Sequence, residues 1–240
     1  ARIRKKNWKA SPIMLSGNTD CYQPAEAEYG LTRKMLEILL RYRHPVGIIT
    51  KSSLILRDID LLQQLAELQL VKVAISLTSL DETLQRRLEP RAASVLKRLK
   101  TIETLTAAGI PVNVMMAPVI PGLTEHEILP LAEKVAEKGA YNIAFTLVRL
   151  NGDVAEIFED WIRKVLPDRA DRVLNRIRDI HGGQLNDSRF GTRMSGEGKI
   201  AEVIHKQFRL ARTRYFEGRS APAYNLSLHD HFKSPQMSLF

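Results

Sequence analysis

Cysteine is almost absent from this 240-residue chain, Cys21 being the only one. One thiol cannot close an internal disulfide and gives no sign of an oxidising compartment. Long apolar runs are missing as well: a stretch such as VNVMMAPVI falls far short of the ~20 residues that cross a bilayer. No charged-then-apolar leader opens the chain, so the cytoplasm is the expected location. Phosphate-loop glycines are lacking too, because HGGQLNDSRFGTRMSGEG fits neither GxGxxG nor GxxxxGK[ST] and reads as turns, with Arg189 and Arg193 as candidate substrate contacts. Acidic residues are outnumbered, 27 Asp and Glu against 36 Lys and Arg, for a formal charge of +9. That balance admits a polyanionic partner such as nucleic acid, although a charge run is more often a solvated face. The first residue is Ala rather than Met, as expected of a processed chain or of part of a longer polypeptide.

What is present is a repeat of buried strands and amphipathic helices. VGIITKS (46–52) carries the β-branched residues of a strand covered on both faces and ends in Thr50, Lys51 and Ser52. Further strands are expected to start near 13, 72, 111 and 141, with a helix between each pair, the pattern of βαβ units in a parallel sheet. From Glu26 to Tyr42, residues Leu31, Met35, Ile38, Leu39 and Tyr42 recur at helical spacing and predict one face covering the sheet. Asp58 or Asp60 is a candidate cap for the next helix, and Thr124 with Glu127 has the spacing of a capping box. Pro130 should bend the helix after it or delay its regular start. Four successive strands end in SGNTD, TKS, ISLTS and APVIPG. Polar or backbone-exposing segments therefore gather at one rim, where parallel α/β folds bind ligands. Each alone is weak: Lys51 on its own could simply snorkel to solvent.

Beyond Leu150 the pattern turns helical, over Val154–Val165, Arg169–Ile180 and Lys199–Phe216. The last of these puts Ile200, Val203, Ile204, Phe208 and Ala211 inward and Lys206, Arg209 and Arg212 outward. From Glu217 the composition is that of a tail.

These strand-end motifs resemble the radical S-adenosylmethionine superfamily, and within it the branch similar to spore photoproduct lyase and DNA-repair photolyase-like proteins. The resemblance runs from about Ser11 to Phe216 and rests on GNTDCYQP, ITKS, ISLTSLD with LEPRAAS, and APVIPGLTEHE. It implies an α/β fold, a partial (β/α)6 TIM-like barrel over residues 1–150 whose visible strands are the second through sixth, the first apparently missing. A C-terminal helical extension over 151–216 and a disordered tail over 217–240 follow. By resemblance, Asn18, Thr19 and Asp20 occupy the motif that holds the methionyl ammonium of S-adenosylmethionine. Lys51 would pair with its carboxylate, Ser76 would bond the ribose, and Ile120, Gly122 and Glu125 match GxIxGxxE beside the adenine, with Pro118 where the first Gly would stand. The superfamily holds a [4Fe-4S] cluster through a CxxxCxxC loop. That loop is absent here, so no metal ligand is expected in this chain. Cys21 invites a hydrogen-donor role, but the relatives' cysteine stands where Gly17 does, and a structural thiol is the alternative.

The implied activity is that of a lyase-like radical enzyme acting on a nucleic-acid substrate and fed by a reductant. The chain by itself, lacking the cluster ligands, would be inactive. The competing reading is a clusterless, non-catalytic DNA-binding module. The closing QMSLF resembles the bacterial sliding-clamp-binding peptide, which makes Gln236, Met237, Leu239 and Phe240 candidate clamp contacts.

Overall fold

Val46, Ile48, Val71, Val73, Val112, Val114 and Ile143 are all buried, and they lie side by side in one parallel sheet. The computed structural model describes Ile3, Lys5 and residues 7–189 and 191–233. In chain order the elements are β1 (Ile13–Leu15), α1 (Glu26–Tyr29), α2 (Leu31–Arg41), β2 (Val46–Thr50), α3 (Ile59–Glu67), β3 (Val71–Ser76), α4 (Glu82–Leu88) and α5 (Val95–Ala107). Then come β4 (Val112–Val119), α6 (Ile128–Glu137), β5 (Asn142–Leu147), α7 (Val154–Val165), α8 (Pro167–Ile180), α9 (Gly198–Phe216) and α10 (Ser227–Lys233). The sheet order is β1-β2-β3-β4-β5, every pair parallel. This is the α/β architecture of a partial TIM-like barrel, an open five-stranded sheet with the carboxyl ends of all strands on one rim.

Helices cover the buried face because their apolar stripes match it. Leu61, Leu62 and Leu65 of α3, Val95, Leu99, Ile102 and Leu105 of α5, and Leu131, Ala132 and Val135 of α6 join the strands in one core. That core also takes in Ala201, Ile204, Phe208 and Ala211 of α9. A second apolar cluster packs Ile120, Leu123, Val148 and Leu150 against α7 and α8. The two outer edges of the sheet differ. Leu147 N donates to Met194 O and Arg212 Nε to Ile143 O, so β5 is covered. Arg212 is thus turned onto a strand edge rather than wholly to solvent. Among the described residues no strand pairs with the outer edge of β1.

Several local expectations are corrected. The segment from Glu26 to Tyr42 breaks at Gly30, whose φ of 60° ends α1. The face of α2 that meets the core is Thr32, Leu36 and Leu39, while Leu31, Met35 and Ile38 are 60%, 43% and 49% exposed. Asp58 stands at the cap position of α3 but makes no capping bond, because Arg33 and Arg57 claim its carboxylate. The capping box does not form: Thr124 Oγ1 accepts from Ile120 N at 2.9 Å, and Glu127 reaches across to the β3 exit. A 3-10 turn at Glu125–Glu127 precedes α6, which places Pro130 in the helix's first turn, where its missing N–H costs least.

The tail expected from Glu217 onward is packed as far as His229. Arg219 donates to Ala136 O and Ala140 O, Tyr224 Oη donates to Val46 O at 3.2 Å, and Lys72 Nζ lies 4.7 Å from the Tyr224 ring centre. His229 is fully buried, bonds Tyr42 O through Nδ1 and stacks edge-on against His44. Each of these irregularly spaced residues finds its own socket on the sheet's lower end, an arrangement that carries no periodicity. The QMSLF segment lies outside the described residues. Among the described residues no helix is long and apolar enough to cross a membrane.

Candidate functional site

β2 is gripped by the sheet on both sides, so its exit is fixed in space, and Lys51 is the first residue past it. Asp20, in the loop after β1, splints that exit. Its Oδ2 accepts from Lys51 N at 2.8 Å, and its Oδ1 accepts from Thr50 Oγ1 at 2.7 Å and from Tyr22 N at 2.9 Å. Asp20 thus spends most of its acceptor capacity on holding the Lys51 backbone. Ser52 N donates to Thr50 Oγ1 and Leu54 N to Ser52 Oγ, which curls the chain away from the strand.

The Lys51 ammonium lies 2.6 Å from Glu89 Oε1 and is about one-third exposed. Glu89 Oε2 accepts from Arg98, a residue of α5 that is only 1% exposed. Arg98 also donates to Ala93 O at 2.8 Å and to Ser76 O at 2.9 Å. One buried guanidinium therefore ties the LEPRAA loop, the β3 exit and, through Glu89, the β2 exit together. Burial works against the Glu89 charge, but Arg98 and Lys51 hold its carboxyl below the usual range.

Two cavities border Lys51, and Glu89 lines the smaller of them. A cleft of about 640 Å³ is lined by Asp20, Gln23, Lys51, Ser53, Arg57 and Arg91, among others. A smaller cavity of about 270 Å³ is lined by Lys51, Thr78, Glu89, Pro118, Ile120 and Arg149, with apolar walls from Val148 and Phe158. Thr78 Oγ1 and Arg149 Nε are buried there without a hydrogen-bond partner. Buried polar atoms left unpaired are uncommon, and these two are polar groups that a ligand could satisfy.

Of the sequence-predicted residues, Lys51 borders both cavities, Asp20 borders the larger and Ile120 the smaller. Asn18 and Thr19 are exposed and, with Asp20 and Cys21, border a third cavity of about 330 Å³. Ser76 is buried and lines neither cavity at Lys51. Gly122 and Glu125 face α8. Gly122 has φ +85°, and an added Cβ would come within 3.2 Å of Val173 and Arg176. Glu125 bonds Arg176. Arg189 is spent on Asp187 and Glu197. The sequence reading missed Arg98, Thr78 and Arg149, and read as a helix cap Glu127, whose carboxylate accepts from Ser79 Oγ at 2.6 Å and from Leu80 N. LEPRAAS was the available signal for Glu89, while Arg98 lies beyond that motif.

Beneath the larger cleft lies a charge network. Asp58 is fully buried and accepts from Tyr22, Arg33 and Arg57, while Arg57 also binds Glu26. Burial opposes the Asp58 charge, and Arg57 and Arg33 hold its carboxyl low. Burial pushes the Cys21 thiol up to about 11, against a hydrogen bond from Ser16. Among the described residues no three His, Cys, Asp or Glu side chains are grouped to hold a metal.

A rim of this geometry on a parallel sheet has known relatives. The profile of the radical SAM superfamily matches residues 1–135. The chain belongs to that superfamily. An uncharacterized protein of Mycobacterium tuberculosis is 32% identical over 181 residues, 75% of this chain and 52% of the relative. An uncharacterized protein of Methanocaldococcus jannaschii is 26% identical over 174 residues, 72% of this chain and 63% of the relative. The chain thus spans about half to two-thirds of these superfamily relatives. Among solved structures, two variants of spore photoproduct lyase, one with dinucleoside spore photoproduct, share the fold. Their TM-scores are 0.64 and 0.62, with 14% and 16% identity, 93% of this chain and 62% and 63% of theirs covered.

Proposed function

We propose that this chain is the S-adenosylmethionine-binding part of a radical enzyme that acts on nucleic acid. The observation that carries the reading is Lys51: a cation held at a strand end between two cavities, its backbone splinted by Asp20. The residues present fit the cofactor. Lys51 would take its carboxylate, Ile120 and Val148 would flank its adenine, and the unpaired Thr78 and Arg149 atoms offer polar partners. Bound to a reduced iron–sulfur cluster, S-adenosylmethionine supplies hydrogen-atom abstraction. The residues present do not fit the cluster, since one cysteine cannot replace three thiolates. The chain's own part is to bind and orient the cofactor, and we read its five strands as the second through sixth of the barrel. With the cluster ligands elsewhere, the chain alone would be inactive, and a reductant would serve the complete enzyme.

Support for a nucleic-acid substrate is the +9 charge, the exposed Lys206 and Arg209 on the outer side of α9, and the dinucleoside spore photoproduct named for one solved structure of this fold. Gln236, Met237, Leu239 and Phe240 are proposed to dock in a sliding clamp, and a cytoplasmic setting follows from both partners. The test is titration with S-adenosylmethionine and with 5′-methylthioadenosine, which keeps the adenosine and lacks the amino-acid part. Wild type should prefer the former at least about tenfold, and Lys51→Met should abolish the preference. Equal affinities in wild type would end the cofactor reading. Salt-dependent DNA binding without either ligand would favour the binding module instead.

A further inference from the structure

LEPRAAS is the one motif that the cofactor residues leave without a role, and its geometry gives it one. Lys51 cannot receive an anion if Glu89, 2.6 Å away, neutralises it. Three charges meet here: Lys51 about one-third exposed, Glu89 mostly buried and Arg98 fully buried. Glu89 can be balanced by only one of the two cations. Arg98 is the better partner by position, because it is out of solvent, fixed by Ala93 O and Ser76 O, and unable to reach the cleft. An ammonium has three donors, so Lys51 can touch Glu89 and still present two to a ligand.

We propose that Arg98 is a positioning residue that takes up the Glu89 charge and leaves Lys51 with a net positive charge for a ligand carboxylate. The assignment rests on the reading of Lys51 as a carboxylate receptor. It predicts a signature that a purely structural staple would lack. Arg98→Met leaves Glu89 with Lys51 as its only counter-ion, so the group facing the cleft goes from +1 to neutral. Arg98→Lys keeps the charge and loses the fork. Adding Glu89→Gln to Arg98→Met returns the group to +1.

The first readout needs no ligand: titration of the Glu89 carboxyl by carbon-detected nuclear magnetic resonance. Its midpoint should rise by about one pH unit or more in Arg98→Met and stay low in Arg98→Lys. The second is the ratio of S-adenosylmethionine to 5′-methylthioadenosine affinity. That ratio should fall about tenfold in Arg98→Met, hold within about threefold in Arg98→Lys, and recover in the double variant. Should Arg98→Met fail to fold, Glu89→Gln alone decides: the ratio should rise about two- to threefold, and a fall overturns the assignment. An unmoved Glu89 midpoint, or a double variant no better than Arg98→Met, also overturns it. A wild type that binds both ligands equally defeats the cofactor reading, while the Glu89 titration still decides the role of Arg98.

Discussion

Asp20→Asn removes one negative charge and one acceptor at the point where the Lys51 backbone is held. In wild type three donors meet two carboxylate oxygens, with Thr50 Oγ1 and Tyr22 N on Oδ1 and Lys51 N on Oδ2. An amide has one oxygen. If it takes the Oδ1 place, its NH2 faces the Lys51 N–H, and if it takes the Oδ2 place, its NH2 faces the Tyr22 N–H. Either orientation strands one backbone donor, at about 1–3 kcal/mol, and turns the surviving charge-assisted bonds into neutral ones of about half the strength. The expected destabilisation is about 2–4 kcal/mol, large against a typical ~5–15 kcal/mol yet compatible with a folded chain. Equilibrium urea unfolding measures it, with an unchanged slope showing that the unfolded state is the same. Thr50→Val is the companion variant. It deletes one donor to Asp20 and leaves Ser52 N without its acceptor, which should cost about 1–2 kcal/mol. A shift below about 0.5 kcal/mol for Asp20→Asn would refute the claim that this carboxylate holds the β2 exit.

Gly122→Ala should cost about 2 kcal/mol, because φ +85° disfavours any Cβ and the new carbon meets the backbone of α8 at Val173. An unfolding midpoint equal to wild type would show that the turn relaxes freely. Stability should fall in acid. Glu26, Asp58 and Glu89 are all held below their usual values of 4.5, 3.8 and 4.5, so their contribution is full above those values and is lost as pH drops through the lower folded ones. Urea midpoints at pH 7, 5 and 3 test this, and a flat profile from 5 to 3 contradicts it. Cys21 should alkylate slowly. Against the usual value of 9.0, a thiol at about 11 has about a hundredfold less thiolate at pH 8. Mass-spectrometric iodoacetamide labelling at the rate of the unfolded chain would disprove that burial.

The strands were legible because Val46, Ile48, Val73 and Val114 are buried β-branched residues, and such residues declare themselves without knowledge of what covers them. α2 shows where that legibility stops. Leu31, Met35 and Ile38 repeat at helical spacing as faithfully as Leu36 and Leu39, and periodicity has no means of saying which flank meets the sheet. Thr124 and Glu127 have capping-box spacing, but Thr124 takes Ile120 N in its own loop and Glu127 takes Ser79 and Leu80, which lie far off in sequence. Arg98 looks like any charged residue of the KRLK run. Only the fold reveals that it is buried. Tyr224 and His229 fill sockets one at a time, and a pattern of single contacts has no period to detect.

The same limit explains why motif and geometry divide the labour at the rim. A strand ending in Lys identifies a cation, yet a cation beside a carboxylate 2.6 Å away has no charge to offer unless something else claims that carboxylate. Around the β2 exit the sequence supplies many charges, and most cancel. Arg33 and Arg57 are committed to Asp58, Asp60 and Glu26. Glu89 is committed to Arg98. Asp20 is occupied by neutral donors. The positive charge of Lys51 survives this cancellation because of Arg98, forty-seven residues away and on the far side of the LEPRAA loop. A resemblance can name the receptor, but its readiness to bind follows from who pairs with its neighbour.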